Sequence, residues 1–366
     1  MDKPLKIAQV TNLYESVPPQ NKGGLEQMVS YLTEELVSMG HDVTLFGTAD
    51  SKTTANLVPL WPTAVSQDKP SQIREMSWYA DLAVANVLEQ ADDFDIIHDH
   101  TYFVGSRYGH LTSTPILTTM HHPVSFETHL LNEFPPEYRD FAMRQDQHFL
   151  KETTTVTVSE FQRMELQKQL NRKGVVIHNG IPLSEWQDPN LDTGSYFAYL
   201  GYISGNKGVY EAIQATLSTE EILKIAGPID DHDENSKKYF SQKVEPFIDE
   251  KQIQYVGGLN LKEKQEFLKN AKATLMPIQW DEPFGLVAIE SLAMGTPVIA
   301  FNRGALPEII ENGVSGFLVN SVEEMTSRMH EVNLLSRHDA RNKYEENFTA
   351  RSMAIQYEEL YRSLIN

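Results

Sequence analysis

The chain contains no cysteine, which excludes disulfides, thiolate nucleophiles and Cys-ligated zinc or iron–sulfur sites. It also lacks an unbroken run of about 18 apolar residues, the length a membrane-crossing helix requires. The apolar stretch Leu5-Lys-Ile-Ala-Gln-Val10 is strand-sized, with no basic segment before it and no small-residue cleavage site after it. A cytoplasmic protein without a strong membrane signal is expected. Basic charge is scarce, with 31 Lys and Arg against 51 Asp and Glu and a net charge of −20. Nucleic acids and anionic lipid surfaces are held through basic patches and counterion release, so neither is expected as a partner. The G-x-G-x-x-G dinucleotide fingerprint and the Walker A loop are missing as well.

What is present is a repeated alternation. A chain of 366 residues has room for about two domains of ordinary core size. Short apolar runs at Lys6–Val10, Asp42–Phe46, Asp95–His98, Ile116–Met120, Thr155–Val158 and Val175–His178 are separated by amphipathic stretches such as Glu26–Met39 and Ile73–Leu88. Strand-then-helix alternation implies right-handed crossovers and a parallel sheet covered on both faces. The pattern lapses around residues 180–194, among Pro182, Pro189 and Gly194, and then restarts at Phe197–Leu200, Ile222–Ala226, Ile253–Val256, Thr274–Ile278 and Val298–Phe301. The expected organisation is an α/β chain of two Rossmann-like domains, residues 1–182 and 183–347, with a cleft between them. A helical tail, 348–366, follows.

Ligands of open parallel sheets bind beyond the carboxyl ends of the strands, and the candidate site residues gather there. Glu282-Pro-Phe-Gly-Leu-Val-Ala-Ile-Glu290 places two carboxylates around a loop that turns into a helix. Pro283 suits a first helical turn, so the amides of Phe284, Gly285 and Leu286 are expected at the helix N-terminus, where the dipole favours electron-rich ligands. Gly23-Gly24-Leu25-Glu26 ends a loop and opens a helix, as a phosphate cradle or a plain tight turn. His121 follows a strand, where a histidine is either a structural hydrogen-bonder or a catalytic group. His98-Asp99-His100 ends another strand, and with His121 and His122 it has a spacing compatible with zinc. Asp93-Phe-Asp95 precedes its strand, at the wrong end of a sheet for a metal site, and Asp231-His-Asp233 falls in a polar loop.

Glu282 to Glu290, with the run Ser291-Leu-Ala-Met-Gly-Thr-Pro-Val-Ile-Ala300, resembles the E-x7-E region of retaining glycosyltransferases of family 4, which have the GT-B fold. The Gly-Gly-x-Glu segment at Gly23, the single histidine at His121 and the His-x-His at residues 98–100 are similar to segments of that family. Gly201-Tyr-Ile-Ser-Gly-Asn-Lys207-Gly208 resembles its diphosphate loop, except that Tyr202 stands where the family usually has arginine. A guanidinium gives two parallel charged bonds to phosphate and a phenol gives one neutral donor, so donor affinity is in question. Arg303, in Arg303-Gly-Ala-Leu-Pro-Glu308, could replace that charge or form a surface salt bridge.

The resemblance implies transfer of a hexose from a nucleoside-diphosphate sugar, UDP-sugar favoured, to a small-molecule or glycan hydroxyl. It implies retained configuration, a front-face route, no metal and no cofactor. His121, Glu282 and Lys207 would be catalytic. Gly23, Gly24, Tyr202, Lys207, Gly227, Val256, Glu282, Phe284, Gly285, Leu286 and Glu290 would bind the donor, Glu282 at the sugar hydroxyls and Glu290 at the ribose diol. The tail helix would cross back to the first domain. A nucleotide-sugar 2-epimerase and, because of Tyr202, a nucleotide-sugar-binding protein with little or no transfer are the alternatives. The acceptor region is expected in 125–147, with Phe126, Phe134 and Tyr138.

Overall fold

The computed structural model describes residues 3–20, 23–67, 76–125, 135, 138–139, 141, 144–145, 148, 153–229 and 233–365. Phe126, Phe134 and Asp231 lie outside the described residues. The chain forms two compact units, Met1–Gly180 with Ala350–Asn366, and Ile181–Thr349.

In the first unit β1 (Lys6–Val10), β2 (Asp42–Thr48), β3 (Asn56–Trp61), β4 (Ile96–Asp99), β5 (Ile116–Met120), β6 (Thr154–Thr157) and β7 (Val175–Val176) make one sheet. Their order is β3-β2-β1-β4-β5-β6-β7, and every pairing is parallel. Helices α1 (Gly24–Ser38), α2 (Met76–Leu88) and α3 (Glu160–Leu170) connect the strands. The central strands are covered on both faces, which is why β4 is buried at all four positions, His98 and Asp99 included. Strand β3 is absent from the sequence reading because Pro59 interrupts its apolar run. As the edge strand it tolerates the missing N–H.

In the second unit β8 (Tyr196–Leu200), β9 (Leu223–Ala226), β10 (Ile253–Gly257), β11 (Ala271–Met276), β12 (Val298–Phe301) and β13 (Gly316–Val319) are ordered β10-β9-β8-β11-β12-β13. All pairings are again parallel. Helices α4 (Val209–Leu217), α5 (Leu261–Lys269), α6 (Leu286–Ala293), α7 (Val322–Glu331) and α8 (Arg337–Asn347) alternate with them. Phe197, Ile213, Ile225, Leu275, Ile299 and Met325 meet in one buried core. Strand β11 starts three residues before the apolar run Thr274–Ile278 and stops before Pro277, which has no N–H for the ladder. The second edge strand, β13, is also absent from the sequence reading. It is four residues long and begins at Gly316, where a Cβ would lie 2.1 Å from the Val298 carbonyl oxygen.

Residues 181–194 are packed into the second unit and are not a loose connection. Trp186 is fully buried, Arg341 donates to its carbonyl at 2.7 Å, and Arg337 donates to the Asn190 carbonyl at 2.6 Å. The closing helix α9 (Ala350–Ile365) belongs to the first unit. It turns Tyr357 and Tyr361, one helical turn apart, into that unit's interior, both 2% exposed or less.

Candidate functional site

In the second unit the chemistry-bearing groups meet where strands β8, β9 and β11 end. The turn after β8 needs glycine. Gly208 has φ +76°, and a Cβ there would fall 1.9 Å from the Pro277 carbonyl oxygen; at Gly227, φ +152°, it would fall 1.8 Å from that of Gly201. These close approaches bring Lys207, just before α4, against the loop after β11. Its Nζ lies 2.7 Å from Oε2 of Glu282 and 5.0 Å from the centre of the Trp280 ring. The Trp280 indole N–H donates to the same oxygen at 2.8 Å. Oε2 is thereby engaged twice, and Oε1 has no hydrogen-bond partner among the described residues. Glu282 is itself held at the backbone, its carbonyl accepting from Ala305 at 3.0 Å.

Pro283 and Phe284 precede α6 rather than forming its first turn. The helix begins at Leu286, with Gly285 at its N-cap in the left-handed region, φ +108°. The free N-terminal amides therefore start at the N-cap Gly285 and include Leu286, and Phe284 turns into the core, 3% exposed, edge-on to Phe348 at 6.1 Å. Glu290, one helical turn beyond Leu286, is paired with Lys264 of α5 at 2.5 Å, and Lys264 also stands 5.6 Å from the centre of the Trp186 ring. Each glutamate of the motif thus has its own lysine.

Tyr202 is more than a third exposed, and its carbonyl is anchored by the buried Tyr199 hydroxyl at 3.0 Å. Arg303 is committed to Asp281 at 2.9 Å and to the Gln279 carbonyl at 2.7 Å, the salt-bridge alternative for that residue. Val256 is exposed on β10, beside the Gly257 carbonyl that accepts from Gly227 at 2.8 Å.

In the first unit Gly23, φ +142°, is the N-cap of α1 and Gly24 its first residue. Close behind them Glu26 is 4% exposed. Burial, with the charge of Glu15 adding to it, pushes its carboxyl up to about 7. At the ends of β4 and β5 the buried His98 and His100 and the half-buried His121 form a connected network. His98 bonds Tyr361 through Nδ1 at 2.6 Å and Thr119 through Nε2 at 2.7 Å, and Thr119 continues to Tyr357 at 2.9 Å. His100 bonds Gln9 Oε1 through Nε2 at 2.7 Å and His121 Nε2 through Nδ1 at 3.0 Å. Burial lowers the pKa of all three histidines, that of His121 to about 3, so all are neutral at pH 7. Nδ1 of His121 has no hydrogen-bond partner among the described residues.

Both ring nitrogens of His98 and of His100 are engaged by this network, so neither has a lone pair directed at a common ion. Among the described residues no group of three or more acidic or histidine side chains is arranged to hold a metal. Asp95 accepts from the Lys6 amide at 2.8 Å, at the amino end of the sheet, and Asp233 caps a short helix through the Asn235 amide. Tyr138 is exposed. Trp280, Lys264, Gln9, Tyr357 and Tyr361 are absent from the sequence reading. Only the four-residue tyrosine spacing carried a signal, since it marks one helix face.

Comparison with known proteins agrees across the chain. Residues 22–185 match the model described as Glycosyltransferase Family 4, and residues 184–351 match Glycosyl transferases group 1. An uncharacterised glycosyltransferase of Methanocaldococcus jannaschii is 27% identical over 352 residues, covering 86% of this chain and 85% of the relative. Among solved structures, sucrose-phosphate synthase from Thermosynechococcus elongatus superposes with a TM-score of 0.79 at 18% identity, over 98% of this chain and 99% of that one. The Anabaena protein HepE in complex with UDP and glucose gives a TM-score of 0.73 at 16% identity, over 98% and 100%. No helix among the described residues is long and apolar enough to cross a membrane. With two parallel-sheet Rossmann-like units and these matches over both, the chain belongs to the family 4 glycosyltransferases of GT-B fold and is a glycosyltransferase enzyme.

Proposed function

We propose that the enzyme moves a hexose from a nucleoside-diphosphate sugar, with UDP-sugar as the favoured donor, to a hydroxyl acceptor in the cytoplasm, retaining configuration and using neither metal nor cofactor. The observation that carries this reading is the convergence of Lys207 and Trp280 on one oxygen of Glu282. It leaves a carboxylate oxygen held in place to accept a sugar hydroxyl, with an ammonium beside it for the departing diphosphate. Preorganised charge of that kind stabilises a leaving group without reorganisation. A front-face route asks for little else, because the acceptor hydroxyl needs only to be close to the anomeric carbon as the diphosphate leaves. The amides of Gly285 and Leu286 at the start of α6 offer further donors to phosphate oxygens. Glu290 would take the ribose diol in exchange for part of its contact with Lys264, and His121 would bond the transferred sugar. UDP is favoured by the fold likeness to a protein that binds it.

Glu282→Gln tests the reading. The amide keeps the shape and loses the charge, so transfer should fall about 10- to 100-fold, the equivalent of ~1.5–3 kcal/mol for a charged hydrogen bond. Calorimetric affinity for UDP should change less than about three-fold, because the proposed partners of Glu282 are on the sugar. Unchanged turnover with UDP-hexoses, or equal loss of UDP binding and of transfer, would remove Glu282 from the sugar.

A further inference from the structure

The groups behind His121 fix its hydrogens. The three neutral imidazoles carry one N–H each, so the 3.0 Å contact between His100 Nδ1 and His121 Nε2 holds a single hydrogen. Gln9 decides which nitrogen owns it. Its Oε1 lies 2.7 Å from His100 Nε2 and can only accept, so that nitrogen is protonated and His100 Nδ1 is bare. His121 Nε2 must then be the donor, and His121 Nδ1 carries the free lone pair. The other half of the network agrees. The Gln9 amide group faces the Tyr361 hydroxyl at 3.5 Å, which donates to His98 Nδ1 at 2.6 Å, and His98 Nε2–H donates to Thr119 Oγ1 at 2.7 Å. Turning the Gln9 amide over would reverse every hydrogen. That alternative would put two nitrogens 2.7 Å apart, a separation that suits N–H···O, and would stretch an O–H···O contact to 3.5 Å.

We propose that Gln9 and His100 are positioning residues of the transfer reaction: they hold His121 as its Nε2–H tautomer, presenting Nδ1 as a hydrogen-bond acceptor to a hydroxyl of the transferred sugar. The substrate half of this inference rests on the assignment of His121 to the sugar; the tautomer half does not. A hydroxyl bound this way donates to the imidazole, so a donor sugar lacking that hydroxyl leaves the lone pair unanswered. Tyr361 ties the tail helix to the same choice, since its hydroxyl faces the other end of the Gln9 amide.

Long-range proton–nitrogen correlation spectra of the full chain, labelled with 15N-histidine and assigned by the signals lost in His121→Asn, read the tautomer without substrate. The expected result is a bare Nδ1 and a protonated Nε2 on His121. Gln9→Glu keeps an acceptor toward His100 and should preserve that pattern. Gln9→Met removes it and should give a mixed or reversed pattern. Its kcat should fall about 5- to 50-fold, the size expected when one well-placed hydrogen bond is lost, with a smaller change in donor KM. Gln9→Glu should keep a kcat closer to wild type. An Nδ1–H tautomer in the wild type, or an unaltered pattern in Gln9→Met, would overturn the relay. If the tautomer shifts as expected and kcat does not move, the contact between His121 and the sugar is overturned, and the positioning role with it.

Discussion

Trp280 shows how much a single donor decides. The Glu282 carboxylate would rotate freely in water, and its usable oxygen is fixed here because the indole N–H and Lys207 claim the other one. Trp280→Phe keeps an aromatic ring near Lys207 and deletes the N–H together with part of the indole's packing. Transfer should then drop about 10- to 100-fold, the equivalent of ~1.5–3 kcal/mol for one charged hydrogen bond, with UDP affinity nearly unchanged. Full activity in Trp280→Phe, measured as UDP release, would mean that the indole only packs. Glu26 is the opposite case, a carboxyl that the fold prefers protonated. Its pKa, raised by burial to about 7, favours folding below the unfolded value of 4.5, and that contribution is lost as pH rises through 7. The loss amounts to about 3–3.5 kcal/mol at 1.36 kcal/mol per pKa unit. Glu26→Gln should therefore unfold at a higher temperature than wild type at pH 8.5, with little difference at pH 5. An equal shift at both pH values would show that the carboxyl's charge is not the cause.

At the scale of elements, the legible parts of the sequence were those whose physics is local. Strand-helix alternation, the glycine-bearing turns after β8 and β9, and the E-x7-E loop are short-range patterns, and they sit at strand ends because parallel sheets put their loops there. What was not legible depended on partners far along the chain. The Phe284 amide is expected at the helix N-terminus with Pro283 in the first turn, yet the left-handed Gly285 delays the start of the helix to Leu286 and the Phe284 ring packs edge-on to Phe348. The engagement of Oε2 by Lys207, 75 positions away, and the Tyr361–His98 contact across 263 positions leave no mark in spacing. The two edge strands were lost because edges tolerate Pro59 and a four-residue length, which blur the apolar period. The turn carrying Lys207 gives the element-scale prediction. Gly208→Ala must accommodate a Cβ 1.9 Å from the Pro277 oxygen at φ +76°, so the turn has to move. A loss of about 2 kcal/mol or more is expected in urea unfolding, with a weakened Lys207 contact to Glu282 and slower transfer. A stable, fully active Gly208→Ala protein would show that this turn does not position the lysine.

Across the whole molecule the two units carry different titrations. The first unit holds the buried His98 and His100 and the half-buried His121 as neutral rings with lowered pKa values, and Glu26 and Asp99 with raised ones. For the histidines the unfolded chain binds protons that the native unit refuses. Their stabilisation is complete above the unfolded pKa of about 6.5 and is lost as pH falls from there toward the folded values, about 3 for His121. Each such ring gives a slope of up to ~1.4 kcal/mol per pH unit in that window. Glu26 and Asp99, both raised by burial, work in the opposite direction, but His41 is also lowered by burial and joins the three rings, so the histidines outnumber the opposing carboxyls. The first unit should therefore weaken steeply between pH 6 and pH 4. In the second unit, among the described residues, no histidine has a resolved shift. Arg337, lowered by burial to about 10, stays charged throughout that window, and Glu211 is raised by burial. Asp233, Asp249 and Glu323 are lowered by hydrogen bonds, so their contribution is lost only toward the acid end of the window. Hydrogen exchange followed by mass spectrometry at pH 6.5 and pH 4.5, corrected for intrinsic rates, separates the two. Amides of β1, β4 and β5 should lose protection at the lower pH while those of β8, β11 and β12 keep theirs. Simultaneous loss in both sheets, or earlier loss in the second, would mean that the buried histidines do not set the acid limit of this enzyme.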